Sequence, residues 1–348
     1  MTFHRNDYLD WYMPRVAADD GAINLHASGM PPLGADEIEP PAGRMERMDR
    51  LFEQRLGAWL GIPAAELVFT PGATGGSLLA LLHLARKGSR VVVERPIYEP
   101  MLRQAERLGA VERLERLAER GWRFSLDEAE RLIGGDTSLV MITEPHNPSG
   151  ILSPREDVLA LARIAAKRGA RLLVNEIYLG FTGEPSYHGA AENIAVVSSL
   201  SKLMGAYWAR VGWLAAEPSL VEELRRAHWN MGMPTRPGAR AGLGFLERGD
   251  ELRERARRST RAGVDAVDEW VRVRPELRWS TPCGVGFGCV ELPAGVDDME
   301  LAERLHREKG TLTVPGSWFE APGTLRIAWL QAGDRLAQGL NALGDLLR

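Results

Sequence analysis

The sequence predicts an α/β protein built around a largely parallel sheet. Short apolar runs rich in β-branched residues alternate along the chain with stretches of helical periodicity. Strands that are apolar along their whole length, separated by helices, are typical of a parallel sheet covered on both faces. The predicted strands are residues 67–70, 90–94, 138–143, 171–178, 194–199 and 210–215.

Helix signals support the same alternation. Apolar side chains recur at helical spacing across residues 45–59, and Gly61 then offers a helix end. Two later helices are predicted to open with capping boxes, Ser125-Leu-Asp-Glu128 and Ser153-Pro-Arg-Glu156. In the second, Pro154 is expected to take the first helical position.

Changes in composition along the chain predict three parts. Residues 1–43 are rich in Pro, Gly and short polar residues and indicate an extended arm, which joins the small domain or the dimer partner. Residues 44–235 form the large α/β domain. Residues 236–348 form a smaller α+β domain with a long charged helix over 251–272. Its strands are predicted at 277–280, 287–292, 311–314 and 324–329.

Composition excludes several classes of protein. The formal net charge of −4 and the pI of about 6.1 give no reason to expect nucleic acid or an anionic membrane as a partner. The first residues are polar, and no apolar run approaches the roughly 20 residues of a membrane span. A cytoplasmic location and no metal site are expected. Cys283 and Cys289 are interpreted as buried free thiols.

A glycine-rich turn lies where the first strand ends and a helix begins, at Thr70-Pro-Gly-Ala-Thr-Gly-Gly-Ser77. Small residues let the backbone approach an anion, and the free N–H groups of the helix point at it. The turn therefore indicates either phosphate binding or a plain tight turn. Dinucleotide binding is disfavoured, because Thr74 breaks the G-x-G-x-x-G pattern.

Lys202 follows the predicted strand 194–199, within Ser199-Leu-Ser-Lys202. A lysine just past a buried strand is a candidate for a desolvated, nucleophilic amine that forms a Schiff base. Arg210 comes shortly afterwards, and its planar fork suits a phosphate. Most lysines are surface residues, so this interpretation depends on the neighbouring motifs.

Those motifs occur in a specific order. They are Glu144-Pro-His-Asn-Pro-Ser-Gly150, Val174-Asn-Glu-Ile-Tyr178, Ser199-Leu-Ser-Lys202 with Arg210-Val-Gly-Trp213, and Val314-Pro-Gly-Ser-Trp-Phe319 with Leu325-Arg-Ile327. Together they resemble the fold type I, class I/II aminotransferase family of pyridoxal 5′-phosphate (PLP) enzymes, from about residue 65 to the C-terminus. The resemblance implies a seven-stranded, mostly parallel sheet and a homodimer.

The resemblance also implies roles for individual residues. Lys202 would be the Schiff-base lysine and later the acid/base. Arg326 would clamp the substrate α-carboxylate. His146 is expected to order its turn. Tyr98 would stack on the pyridine ring. Asn147 and Tyr178 would bind the 3′-oxygen of the cofactor, and Asn147 would also face the substrate. Ser28 and Gly29 would form a substrate-side loop, and the cofactor phosphate would be bound by Gly72, Ala73, Thr74, Ser199, Ser201 and Arg210.

One position departs from the family pattern. Family members usually carry an Asp that keeps the pyridine nitrogen N1 protonated, and Asn175 stands there instead. An amide can hydrogen-bond N1 but brings no charge, so the ring would be a poorer electron sink. The hypothesis is slow transamination, or selection for a step that needs a weaker sink. A tolerated amide and a compensating acid elsewhere are the alternatives.

A second departure concerns the dimer. The aromatic residue with which many family members reach the partner's phosphate is absent from residues 39–43, and Arg236 or Thr235 could replace it. Trp208, Trp318 and Trp329 fall near motifs and either line an apolar substrate pocket or, more commonly for tryptophan, anchor the core or an interface.

Four functions compete. The first is an aminotransferase acting between an α-amino acid and a keto acid. The second is a PLP-dependent lyase, cyclase, decarboxylase or oxidase on the same scaffold, favoured by Asn175. The third is a PLP-binding regulator, for which residues 1–43 are too few and insufficiently basic. The fourth is a nucleotide-binding α/β protein without PLP. The donor, the acceptor and the pathway stay open.

Overall fold

A computed structural model describes residues 5–18, 20–43, 45–86, 88–228 and 236–347. The large sheet has seven strands in the order β2-β8-β7-β6-β5-β3-β4. All neighbours pair in parallel except β8, which runs antiparallel to β2 and β7. The strands are β2 Leu67–Thr70, β3 Arg90–Arg95, β4 Ala110–Glu115, β5 Thr137–Thr143, β6 Arg171–Asn175, β7 Ile194–Ser199 and β8 Gly212–Ala215. The predicted fold class is confirmed.

Alternating side chains of the sheet belong to two separate cores. On β3, Val91 and Val93 pack into one apolar cluster and Val92 into the other, and all three are fully buried. Both faces are covered by helices, which explains why these strands are apolar at successive positions. The helices of this part are α2 Met48–Leu60, α3 Gly72–Leu84, α4 Glu99–Glu106, α5 Leu126–Leu132, α6 Arg155–Lys167, α7 Leu179–Thr182, α8 Leu200–Met204 and α9 Pro218–His228.

A smaller antiparallel sheet, ordered β12-β13-β10-β9, forms the C-terminal part. Its strands are β9 Arg278–Trp279, β10 Phe287–Glu291, β12 Val314–Pro315 and β13 Thr324–Ala328. The helices here are α10 Arg236–Glu247, α11 Gly249–Arg272, α12 Asp298–Lys309 and α13 Leu336–Leu346. Gly242 of α10 lies so close to the Phe52 ring of α2 that a Cβ would approach it to 2.7 Å, so α10 packs on the large part.

The N-terminal segment is not simply extended, contrary to expectation. Asp7–Ala17 form helix α1, capped by the Asn6 side chain, which accepts a hydrogen bond from Leu9 N. The segment then returns as β1 Ile23–Asn24, which pairs in parallel with β11 Thr311–Leu312. Helix α1 and β1 thereby attach the segment to the rest of the chain.

Two local expectations are corrected. Ser125 caps α5 by accepting from Glu128 N, as predicted. Ser153 does not cap α6: its hydroxyl donates to Glu144 at 2.7 Å, and the helix begins at Arg155 with Pro154 as the N-cap residue. Cys283 is exposed rather than buried, because it lies in the loop before β10, whereas Cys289 is buried inside that strand.

Two features of the described residues bear on the class of protein. None of the helices in these ranges is long and apolar enough to cross a membrane. Across the same ranges, no three His, Cys, Asp or Glu side chains gather as a metal site requires.

Candidate active site

A cavity of about 170 Å³ opens at the carboxyl ends of β5, β6 and β7. Their last residues, Thr143, Asn175 and Ser199, all line it, because the ends of parallel strands meet at one edge of a sheet. The structure brings together the predicted residues Ser28, Gly72, Ala73, Thr74, Tyr98, Asn147, Asn175, Tyr178, Ser199, Ser201, Lys202, Arg210 and Arg326. Residues separated by almost 300 positions therefore share one site.

Lys202 projects into the cavity from the short helix α8, directly after β7. Its Nζ lies 5.3 Å from the centre of the Tyr207 ring. Burial, reinforced by the positive charges of Arg326 and Arg210, lowers the pKa of Lys202 to about 7. A substantial fraction of this amine is therefore unprotonated and nucleophilic at neutral pH.

One end of the cavity is built to hold an anion. Gly72 opens the long helix α3 with φ of +79°, a conformation that favours glycine, and a Cβ there would lie 2.8 Å from Arg210 Nη2. Arg210 itself adopts a left-handed φ of 51° and donates to Pro71 O at 3.2 Å. The Ser201 hydroxyl is buried and has no hydrogen-bond partner in the described part of the chain. Helix N–H groups, a guanidinium and a free hydroxyl together suit a phosphate.

Arg326 on β13 also lines the cavity and is only 2% exposed. Its Nη1 donates to Asn147 Oδ1 at 2.9 Å and its Nη2 to His26 O at 2.8 Å, while Nε has no partner among residues the structure describes. The guanidinium carbon also lies 4.9 Å from the centre of the Phe319 ring. A rigid, buried cation with an unused donor suits a carboxylate.

Two tyrosines and the N-terminal segment complete the wall. Tyr178 Oη and Ser28 Oγ are 2.9 Å apart and form a hydrogen bond in which either hydroxyl can donate. Burial raises the pKa of Tyr178 and of Tyr98, so both remain neutral hydroxyl groups. Gly29 does not line the cavity. It lies behind Lys202, where a Cβ would approach the lysine Cα to 2.9 Å.

Asn175 and its neighbour Glu176 point in different directions. Asn175 Oδ1 accepts from Ile177 N at 3.2 Å, and its Nδ2 lies 3.3 Å from Met101 Sδ. Glu176 accepts from Tyr187 N at 2.6 Å and from the Ser186 hydroxyl at 2.8 Å. Burial raises the pKa of Glu176 to about 7. Only the amide of this pair faces the cavity.

Sequence reasoning missed the contribution of helix α1. Tyr8 and Tyr12 lie one turn apart and both line the cavity, and Tyr12 Oη is 3.1 Å from His26 Nδ1. Asn6 before an aromatic pair at helical spacing was the available signal. The other lining residues not predicted are Leu9, Met101, Thr143, Ile177 and Tyr207.

His146 has the ordering role that was expected. Its Nδ1 is 2.7 Å from Ser149 Oγ and its Nε2 is 3.0 Å from Pro96 O. Because the carbonyl can only accept, Nε2 carries the proton and Nδ1 accepts from the serine. Burial lowers the pKa of His146, so the ring is neutral and fixes the turn that carries Asn147.

The three tryptophans near the motifs do not line the cavity. Trp329 is buried and donates to Thr260 O at 3.1 Å, and Trp208 donates to Leu33 O at 2.8 Å although it is half exposed. Trp318 packs against the Trp11 ring at 5.9 Å. They act as structural anchors, so they give no support to an aromatic substrate.

Comparison with known proteins identifies the family. The family model described as aminotransferase class I and II matches residues 47–337. An aspartate aminotransferase of Thermotoga maritima is 26% identical over 81% of this chain and 75% of its own length. An aspartate/prephenate aminotransferase of Thermus thermophilus is 26% identical over 90% of this chain and 84% of its own. A PLP-dependent aminotransferase structure from Streptococcus suis superimposes with a TM-score of 0.88 at 24% identity, covering 100% and 98% of the two chains.

Proposed function

The chain belongs to the class I and II aminotransferases, PLP-dependent enzymes, and we propose that it moves an amino group between an α-amino acid and a keto acid with the cofactor held on Lys202. The observation that carries the proposal is that this amine, whose pKa is lowered to about 7 by burial and by Arg326 and Arg210, lines one cavity with the anion-binding residues and Arg326. PLP supplies an aldehyde that condenses with amines and a ring that withdraws electrons from the substrate α-carbon.

The anion-binding end fits the phosphate of PLP. The first turn of α3, Gly72 to Thr74, would present backbone N–H groups, and Arg210 would add charge. The buried Ser201 hydroxyl, without a partner in the described ranges, would donate to a phosphate oxygen. These groups would fix the cofactor relative to Lys202.

The polar groups in the middle would orient the ring and the substrate. Asn147 and Tyr178 would hydrogen-bond the 3′-oxygen, and Tyr98 would lie against the ring face. Arg326 would bind the substrate α-carboxylate with its fork, and Ser28 would contribute through its contact with Tyr178. Burial of Arg326 excludes water from that end, which strengthens the contact.

Lys202 is the group that would move protons. Once the substrate amine has displaced it, its free Nζ would take the proton from the substrate α-carbon and later return one. A pKa of about 7 makes this amine both a competent acceptor and a competent donor near neutral pH.

Asn175 favours a second candidate, a PLP-dependent elimination, cyclisation, decarboxylation or oxidation. Transamination benefits from a protonated ring, and the described lining of the cavity has no Asp or Glu to maintain it. Products that form without any keto-acid acceptor would distinguish this candidate from the first.

A cytoplasmic homodimer is part of the proposal. The family resemblance supports it. Arg236, exposed at the start of α10, is the described candidate for a contact across the dimer, and Thr235 lies outside the described residues. Light scattering on the purified protein measures the oligomeric state. An enzyme that is active as a monomer would contradict the proposed homodimer.

The test is an absorbance spectrum of the PLP-loaded protein before and after addition of single amino acids. We expect an imine band that borohydride fixes on Lys202, as located by peptide mass spectrometry, and that a true donor bleaches. The Lys202→Ala variant should lack the band, whereas Lys167→Ala, at an exposed lysine of α6, should keep it. A reducible adduct in Lys202→Ala would overturn the proposal.

A further inference from the structure

The hydrogen bonds around Asn175 determine which way its amide faces. A backbone N–H can only donate, so the atom 3.2 Å from Ile177 N must be the amide oxygen. The Nδ2 group then points toward Met101 Sδ at 3.3 Å. A thioether is a weak acceptor and an amide nitrogen has two hydrogens, so Asn175 offers the cavity a donor.

The carboxylates near Asn175 in the structure do not reach the part of the cavity that Asn175 lines. Glu176 is engaged by Tyr187 N and Ser186 on the other face of the chain. Glu94 accepts from Thr143 N at 2.6 Å and from Arg116 Nε at 2.7 Å, behind the cavity wall.

Glu99 accepts from Tyr8 N at 2.7 Å and from Arg103 Nε at 3.0 Å, and it does not line the cavity either. The alternative of a compensating acid therefore finds no candidate among the described residues that line the cavity.

The lack of a carboxylate in the cavity lining also favours an unprotonated pyridine nitrogen. The described lining contains the side chains of Lys202, Arg210 and Arg326 and no carboxylate. A protonated pyridine nitrogen beside Asn175 would have no carboxylate in the described lining to pair with, because the phosphate and the substrate carboxylate would be held by Arg210 and Arg326. A neutral nitrogen needs a hydrogen-bond donor, and Asn175 presents one.

We infer that Asn175 donates its amide N–H to the pyridine nitrogen of PLP and holds that nitrogen unprotonated. This inference rests on the proposed function, because it concerns the bound cofactor. It defines Asn175 as the residue that weakens the electron sink of this enzyme. The chemistry favoured is that of substrates whose reacting bond needs little ring assistance, such as those with an acidic α-hydrogen or a good leaving group on the β-carbon.

The experiment uses the full-length protein loaded with PLP labelled with ¹⁵N at the ring nitrogen, with its NMR chemical shift as the readout. In the wild type we expect the resonance of an unprotonated pyridine, unchanged between about pH 6 and pH 9. In Asn175→Asp we expect the protonated resonance, because a carboxylate stabilises the pyridinium. Met101→Leu, which removes the thioether but leaves the amide bonded to Ile177, should keep the wild-type resonance.

A protonated resonance in the wild type would overturn the inference, and so would an unprotonated one in Asn175→Asp. Should the variant not fold, the wild-type resonance and its pH series decide alone. A wild-type protein that takes up no cofactor contradicts the proposed function itself, which separates the two failures. As a kinetic companion, we expect the half-reaction of Asn175→Asp with its amino donor to be at least severalfold faster.

Discussion

Two groups of charged side chains in this protein have opposite surroundings. Arg116 is fully buried and paired: Nε donates to Glu94 and Nη2 to Glu144, each at 2.7 Å, and Nη1 to Ser153 at 3.0 Å. Lys202, Arg210 and Arg326 instead line one cavity whose described lining has no carboxylate. Of these three, Arg326 is buried, Lys202 is half-buried and Arg210 is exposed. Cations that share a cavity without a carboxylate partner indicate where anionic ligands would complete the site.

The largest effect is expected from breaking the paired cluster. Arg116→Met would leave Glu94 and Glu144 buried without a cation, which costs about 3–5 kcal/mol of unfolding free energy. Denaturant unfolding measures this loss. The triple variant Arg116→Met, Glu94→Gln, Glu144→Gln removes every charge of the cluster and should recover most of it. No recovery would show that packing, rather than charge pairing, dominates.

The buried carboxyl group of Glu176 gives the next effect, and this effect depends on pH. Burial raises the folded-state pKa of Glu176 from 4.5 to about 7. Its contribution to stability is therefore fully present below pH 4.5 and is lost as pH rises to about 7. Glu176→Gln should show a stability advantage that grows over this window to at most about 3 kcal/mol. Unfolding free energies measured across pH would contradict this if the two proteins changed in parallel.

Removing a cavity cation should affect function more than stability. Arg326→Met should lower kcat/KM for the amino donor roughly a hundredfold, because a charged hydrogen-bonded pair with the α-carboxylate is lost. Unfolding of the cofactor-free variant should change by less than in Arg116→Met, because removal of a buried cation without a carboxylate partner offsets part of the loss of the hydrogen bonds to Asn147 Oδ1 and His26 O. Arg326→Lys keeps the charge without the fork and should fall between the two. A loss of stability in Arg326→Met as large as that in Arg116→Met would show that the cavity cations and the Arg116 cluster do not differ in this respect.

The smallest effect concerns loading of the cofactor. Because the pKa of Lys202 is lowered to about 7, its unprotonated fraction rises about tenfold between pH 6 and pH 8. The rate at which cofactor-free protein forms the imine band should rise with it. Arg210→Gln removes one of the two charges that depress this pKa and should move the rise to higher pH. A pH-independent rate would contradict the lowered pKa.

Local patterns predicted most of the large sheet. The strands Leu67–Thr70 and Ile194–Ser199 match their predicted bounds. Apolar β-branched runs that are followed by glycine-rich or small residues favour a strand with a defined end. The strand Ala110–Glu115 was missed. It lies at the edge of the sheet and carries Glu112, Arg113 and Glu115, and so its half-buried side chains lack the apolar signal of a strand.

The candidate site was predicted where motifs carry it and missed where only tertiary packing does. Lys202, Asn147 and Arg326 lie in local sequence patterns, and the fold brings them to one cavity. Tyr8 and Tyr12 reach the same cavity through contacts with residues far along the chain, such as Glu99. No local pattern encodes a contact of that kind, and Pro14 inside α1 obscured the helix itself.

Helix α1 has a practical consequence for anyone preparing this enzyme. Tyr8, Leu9 and Tyr12 form part of the cavity wall, and Trp11 is tied to Glu303 by a 2.8 Å hydrogen bond. An affinity tag fused ahead of this helix would therefore be attached close to the proposed substrate-binding cavity. Helix α13 contributes no described residue to that wall, so purification handles belong at the carboxyl terminus.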